Sequence, residues 1–280
     1  MAAFKKGLAE LGYAEGKNLR LEYHHAKLDR EYDAVMAELV SGKVDVIVAS
    51  NAPAATAAAK ATRTIPIVLA GVNDPVGLGV AGSLERPGRN VTGTTIYAPE
   101  LIGERLRILN RLVPRLDKVA ILMNGNNRNN PAQVALLADA GRQLGIGVRP
   151  VDIQSPADVT PAVDKAIADG ALGFFNCVDS FINSQRFAIA KSVAQTKRPM
   201  MYTDREYVLA GGLMALGVGH TEGFYRAAEY VDKVLHGANP ADLPIARPTE
   251  RIFSVSRSAL DKLGIALPRE IEDRVTEWLP

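Results

Sequence analysis

Five short polar segments carry most of the side chains suited to handling a small molecule. They are Ser50-Asn51-Ala52-Pro53, Val72-Asn73-Asp74-Pro75, Asn124-Gly125-Asn126-Asn127, Val178-Asp179-Ser180 and Tyr202-Thr203-Asp204-Arg205. Their amides, hydroxyls and carboxylates offer hydrogen bonds to a small polar or zwitterionic ligand. Asp179 or Asp204 would pair an ammonium group, and Tyr97 would stack on an apolar portion. Plainer uses exist for each: Ser50, Asn51 and Ser180 suit helix N-caps, and Asp74 before Pro75 suits a turn. What points to a ligand is the convergence of the whole set. Its candidate ligand-binding residues are Ser50, Asn51, Ala52, Asn73, Asp74, Tyr97, Asn124, Asn126, Asp179, Ser180, Tyr202 and Asp204. Substituting Asp179 by Ala is expected to weaken ligand binding with little change in melting temperature.

Templates for bond-making chemistry fit poorly. His24, His25, His220 and His236 are the chain's 4 histidines, and no His-Glu-x-x-His or His-x-x-Glu-His spacing occurs. There is no Gly-x-Ser-x-Gly elbow and no phosphate-cradling Gly-x-x-x-x-Gly-Lys loop. A single cysteine, Cys177, excludes an internal disulfide and thiolate metal clusters. Gly77-Leu78-Gly79-Val80-Ala81-Gly82 matches a dinucleotide fingerprint, but the preceding strand ends near Ala70 and Asn73-Asp74-Pro75 intervenes. No catalytic residue, metal or cofactor is expected. The rival readings are a nucleotide-dependent oxidoreductase or small-molecule hydrolase, and the ligand-sensing domain of a cytoplasmic regulator.

What must position the polar segments is an alternation of strands and helices. Phe4, Leu8 and Leu11 mark a helix that Gly12 ends. Strands are expected over 19–23, 44–49, 65–70, 118–123, 148–153, 172–177, 199–202, 213–216 and 251–255. Helices are expected around 32–40, after Pro53, over 99–113, after Pro131, after Pro156, from Ser180 and over 221–236, with two short ones at the end. Such alternation predicts doubly wound parallel sheets. Four or five strands fall before residue 96 and about as many after it, so two lobes are expected. In parallel sheets each strand end and the next helix N-terminus face one crevice, where polar and anionic groups bind.

Bulk properties agree. The chain has 280 residues, enough for two lobes. Hydrophobic residues make up 47% and charged residues 23%, the balance of a globular protein. A net charge of +2 gives no sign of a nucleic-acid partner. No apolar run reaches the length of a membrane span, and no signal peptide opens the sequence.

Ordered motifs add a resemblance. Asn51-Ala52-Pro53-Ala54-Ala55, Thr64-Ile65-Pro66-Ile67-Val68, Asp74-Pro75-Val76-Gly77 and Ser83-Leu84-Glu85-Arg86-Pro87-Gly88 are followed by Pro99-Glu100-Leu101 with Arg105-Leu106. Arg205-Glu206-Tyr207, Gly211-Gly212-Leu213-Met214, Tyr230-Val231-Asp232-Lys233 and Ala241-Asp242-Leu243-Pro244 complete the series. Together they resemble the substrate-binding proteins of ABC transporters, in the subfamily with tryptophan- and tyrosine-binding members. The resemblance implies a type I periplasmic-binding-protein (Venus-flytrap) architecture. Its two lobes are joined by three crossovers and close over one ligand, an amino acid or small aromatic or carboxylate compound. It implies lobe one over 1–95 plus 218–245 and lobe two over 96–217 plus 246–280. It also implies delivery to a membrane permease of an ABC importer, no catalysis, and a location in the periplasm or on a lipid anchor. The family's first strand of lobe one is missing from this sequence, as are a signal peptide and lipobox cysteine. A truncated or misplaced start is therefore expected.

Overall fold

The computed structural model describes residues 1–26 and 31–280. Its first elements are α1 (Ala2–Glu10), α2 (Tyr32–Ser41), β1 (Ile47–Ala49), α3 (Ala52–Ala61), β2 (Ile67–Val72) and β3 (Val91–Thr95). There follow α4 (Glu100–Leu112), β4 (Lys118–Met123), α5 (Asn130–Leu144), β5 (Gly147–Asp152), α6 (Val159–Ala168), β6 (Gly173–Asn176), α7 (Ser180–Ser184) and α8 (Arg186–Gln195). The chain ends with β7 (Met200–Tyr202), α9 (Arg205–Leu209), β8 (Met214–Val218), α10 (His220–Leu235), β9 (Arg251–Ser256), α11 (Arg257–Leu263), α12 (Arg269–Glu272) and β10 (Glu277–Leu279). Two compact units divide it: unit one is Met1–Tyr97 with Gly219–Glu250, and unit two is Ala98–Val218 with Arg251–Pro280.

In unit one, β1, β2 and β3 pair in parallel in that order. All of β2 is buried, as in a parallel strand covered on both faces. Ile67 and Leu69 face a core built with α2 and the alanine-rich α3, while Val68 and Ala70 face α1 and α10. Gly93 lets β3 come close to β2: its φ is +121°, and a Cβ there would lie 2.3 Å from the Leu69 carbonyl oxygen. The chain stays with unit one beyond residue 245. Ala246 donates to Gly93 and accepts from Thr95, both at 2.9 Å, and the Glu222 carboxylate accepts from the Thr249 and Glu250 amides. These bonds put the third crossing after Glu250, five residues beyond the sequence-derived boundary.

Unit two holds a seven-stranded sheet in the order β10-β9-β8-β7-β6-β4-β5. Val119, Ile121 and Phe175 pack on one face with α4, α5 and α11. Ala120, Leu122, Phe174 and Met200 pack on the other with α6, α8 and α9.

Several expectations change. Residues 19–23 form no strand; Leu19 makes one isolated bridge with Glu15. With no ladder neighbour for this segment, its alternation serves packing instead: Leu19 and Leu21 lie partly buried against the α1–α10 cluster. Unit one therefore has three described strands rather than four or five, and unit two has seven. The larger sheet is not wholly parallel, because β9 runs antiparallel to β8. The three-residue β10 beside β9 was too short to show a period.

Candidate functional site

In unit one the parallel order β1-β2-β3 brings three strand ends to one edge. Ser50-Asn51-Ala52 follows β1, Asn73-Asp74 follows β2, and Tyr97 follows β3. Ser50 is exposed; Asn51, Ala52, Asn73, Asp74 and Tyr97 are half-buried. Asn51 is the N-cap of α3: its Oδ1 accepts from the Ala54 amide at 2.9 Å, and its Nδ2 donates to the Tyr32 hydroxyl at 2.9 Å. Asp74 has φ +43°, and its Oδ1 accepts from the Gly77 amide at 2.9 Å. That bond organises the glycine-rich segment as turns across 75–79. The Tyr97 amide donates to the Thr95 hydroxyl at 2.9 Å.

In unit two the adjacent parallel strands β8, β7, β6 and β4 likewise place their carboxyl ends together. Asn124 is buried after β4, with its Oδ1 accepting from the Asn126 amide at 3.1 Å; Asn126 itself is exposed. Asp179, 8% exposed, is the N-cap of α7, and its Oδ1 accepts from the Ile182 amide at 2.8 Å. Its Oδ2 accepts from Asn127 Nδ2 at 2.6 Å and Asn130 Nδ2 at 3.4 Å. The exposed Ser180 follows. Asp204, half-buried, caps α9 by accepting from the Glu206 amide at 2.8 Å.

Tyr202 does not join this set. Only 1% exposed, it stacks on Tyr207 with centroids 4.9 Å apart and 21° between the rings. Its ring belongs to the apolar core and lines a cleft of about 440 Å³ bounded by Lys197, Gly212 and Ser256, at the amino ends of β7 and β8. A strand's last residue points to one face of the sheet rather than off its edge, and here that face is core. Burial raises its phenol pKa well above the ordinary value.

Other groups at the same edge escaped sequence reasoning. Gln133 clamps Val178 through both amide atoms, at 2.7 and 3.1 Å. Asn176 does the same for Thr203, donating to its hydroxyl at 2.8 Å and accepting from its amide at 3.2 Å. The asparagine-rich run 124–130 is partly buried: Asn129 and Asn130 are 4% and 0% exposed, while Asn126 and Arg128 are exposed. The Tyr207 hydroxyl is buried and has no hydrogen-bond partner among the described residues. Charges on Asp204, Asp179 and Arg186 act on it, and burial pushes its pKa up. Arg105 is 6% exposed on α4 and donates Nε to the Leu216 carbonyl, near the end of β8, at 2.6 Å. Burial lowers its pKa to about 10, against the pull of Glu104, Asp204 and Glu100. The sequence signal for Arg105 was a cation within the apolar stripe of Leu101, Leu106, Ile108 and Leu109.

Cys177 is buried with its thiol pKa raised, mainly by desolvation, which makes it unreactive. Among the described residues no cluster of His, Cys, Asp and Glu is grouped to hold a metal ion. No helix is long and apolar enough to cross a membrane.

In each unit, small hydrogen-bonding groups are fixed at the carboxyl edge of parallel strands. The family model for ABC transporter substrate binding proteins matches residues 1–278. The chain belongs to that family. Members of this substrate-binding family are solute-binding proteins, and the α/β architecture is that of type I periplasmic binding proteins. A tyrosine-binding protein of Clostridioides difficile is 29% identical over 263 residues, covering 94% of this chain and 75% of the relative. A conserved domain protein from Vibrio cholerae superposes with a TM-score of 0.93 at 28% identity, covering 99% of this chain and 93% of that one. An ABC domain from Streptococcus pneumonia solved with L-Trp has a TM-score of 0.93 at 22% identity, again over 99% and 93%. That last likeness speaks to fold.

Proposed function

We propose that this substrate-binding protein serves an ABC importer by capturing an amino acid, or a small aromatic carboxylate, and presenting it to a membrane permease. The protein would act in the periplasm or from a lipid anchor and would make or break no bond. The observation that carries the reading is the family match over nearly the whole chain, joined to two sets of strand-end polar groups. The relative from Clostridioides difficile is a tyrosine-binding protein, which supports L-tyrosine and related aromatic amino acids as the ligands to test first.

Ser50, Asn51, Ala52, Asn73, Asp74 and Tyr97 are proposed as the ligand groups of unit one. Asn124, Asn126, Asp179, Ser180 and Asp204 are proposed for unit two. Several of their side chains already serve as caps, so the ligand would meet the amide N–H groups at the helix starts.

Isothermal titration of the full chain against the amino acids, benzoate and 4-hydroxybenzoate tests this. Micromolar or tighter binding of at least one, recovered chemically unchanged, is the expected result. Saturable binding of NADH or NADPH with none of these ligands would instead support the oxidoreductase rival. Conversion of a bound compound would remove the transport reading.

A further inference from the structure

Arg105 occupies a core position that ordinary packing would give to an aliphatic residue. It lies one turn after Leu101 and one before Leu109, both fully buried. Burying a guanidinium is costly unless its donors are satisfied. A guanidinium has five N–H donors, yet the contact made by this one is the bond from Nε to Leu216. No carboxylate among the described residues lies within ion-pair distance of it. The acids of its own helix are committed elsewhere: Glu100 and Glu104 pair with Arg251 at 3.6 and 3.5 Å, and Glu104 also pairs with Arg274. Among the described residues Nη1 and Nη2 have no hydrogen-bond partner, and they lie beside Leu216 at the same sheet edge as the Asp179 and Asp204 loops.

A planar fork of unused donors on a nearly buried cation is a receptor for a carboxylate. We propose that Arg105 binds the carboxylate of the captured solute through Nη1 and Nη2, and so selects amino acids and aromatic acids over their neutral analogues. The inference rests on the solute-binding reading above and deepens it. Nε anchors the side chain to β8, so the fork is held in place before the ligand arrives.

The test compares L-tyrosine with L-tyrosinamide, and benzoate with benzamide, by calorimetry on the full chain and on Arg105→Met, Arg105→Gln and Arg105→Lys. The parent should prefer each acid to its amide. Arg105→Met should weaken acid binding by at least ~30-fold and leave amide binding within a few-fold, so the acid-to-amide ratio collapses. Arg105→Lys should retain part of the ratio, because it keeps the charge but loses the fork. If Arg105→Met does not fold, the ratios in the Gln and Lys variants decide. Unchanged ratios in a folded variant would overturn the inference and leave Arg105 as a pin between α4 and β8. A parent that binds neither acid nor any amino acid would instead defeat the functional reading itself.

Discussion

Asn127 donates Nδ2 to Asp179 Oδ2 at 2.6 Å, which ties the loop after β4 to the loop after β6. The other carboxylate oxygen of Asp179 caps α7 through the Ile182 amide. One side chain thus fixes a helix start and sets the spacing of two neighbouring strand-end loops. Asp179, first singled out as a ligand contact, thus holds the candidate binding edge of unit two in shape.

Asp179→Ala should therefore lower stability as well as affinity. The change removes an N-cap, worth ~0.5–2 kcal/mol, and leaves the Asn127 amide without its acceptor. A fall of several degrees in the ligand-free melting temperature is expected, measured by circular dichroism. This reverses the sequence-based expectation of an unchanged melting temperature. A variant that melts with the parent would show that these bonds contribute nothing.

Much of the framework was legible because buried parallel strands leave short β-branched runs, as in Ile67-Val68-Leu69 and Val119-Ala120-Ile121. Capping was also legible: Asn51 before Ala52-Pro53 opens α3 as its chemistry suggests. What escaped depends on contacts distant in sequence. The Leu19–Tyr23 alternation looked like a strand, but a strand exists only where a neighbour completes its ladder. Tyr202 closed a strand, yet which face its ring would take is a property of the assembled sheet. The asparagines at 127 and 130 take their role from Asp179, some fifty residues later in the chain. Arg105 carried a charge that sequence reading assigns to solvent, and only the packing of α4 on β7 and β8 turns it inward.

Glu277 gives unit two a pH dependence with a defined sign. Arg205 grips its carboxylate with Nε at 3.0 Å and Nη2 at 2.5 Å, and Ser254 adds a bond at 2.7 Å. The Arg205 bonds first, then Ser254, hold the carboxyl below the ordinary glutamate value of 4.5. A group with a depressed folded pKa stabilises fully above its unfolded value, and that contribution is lost as pH falls through the folded one. Glu277→Gln should be less stable than the parent near neutral pH, and the gap should close between about pH 5 and pH 3. Denaturant unfolding across that range reads the difference; a gap that persists in acid would assign the effect to packing.

Gly93→Ala tests the close approach of β2 and β3. The backbone is in the left-handed region at φ +121°, and the new Cβ would press on Leu69 backbone atoms at 2.3 and 2.5 Å. Neither strain can be relieved by a side-chain rotation. The expected cost is ~4 kcal/mol or more, seen as early loss of protection in unit one by hydrogen exchange while unit two keeps its own. Parent-like protection at β2 would mean that the strands are farther apart than described.

Tyr207→Phe tests the cost of a buried, unpartnered hydroxyl. The hydroxyl is buried without a partner among the described residues, so deleting it removes a desolvation penalty, ~1–3 kcal/mol for an unsatisfied group. The ring still stacks on Tyr202, and the volume hardly changes. The ligand-free variant should melt at or above the parent temperature. Because the hydroxyl is buried, ligand affinity should stay within about 2-fold of the parent, measured by calorimetry. A lower melting temperature would show that the hydroxyl already has a partner in the ligand-free protein.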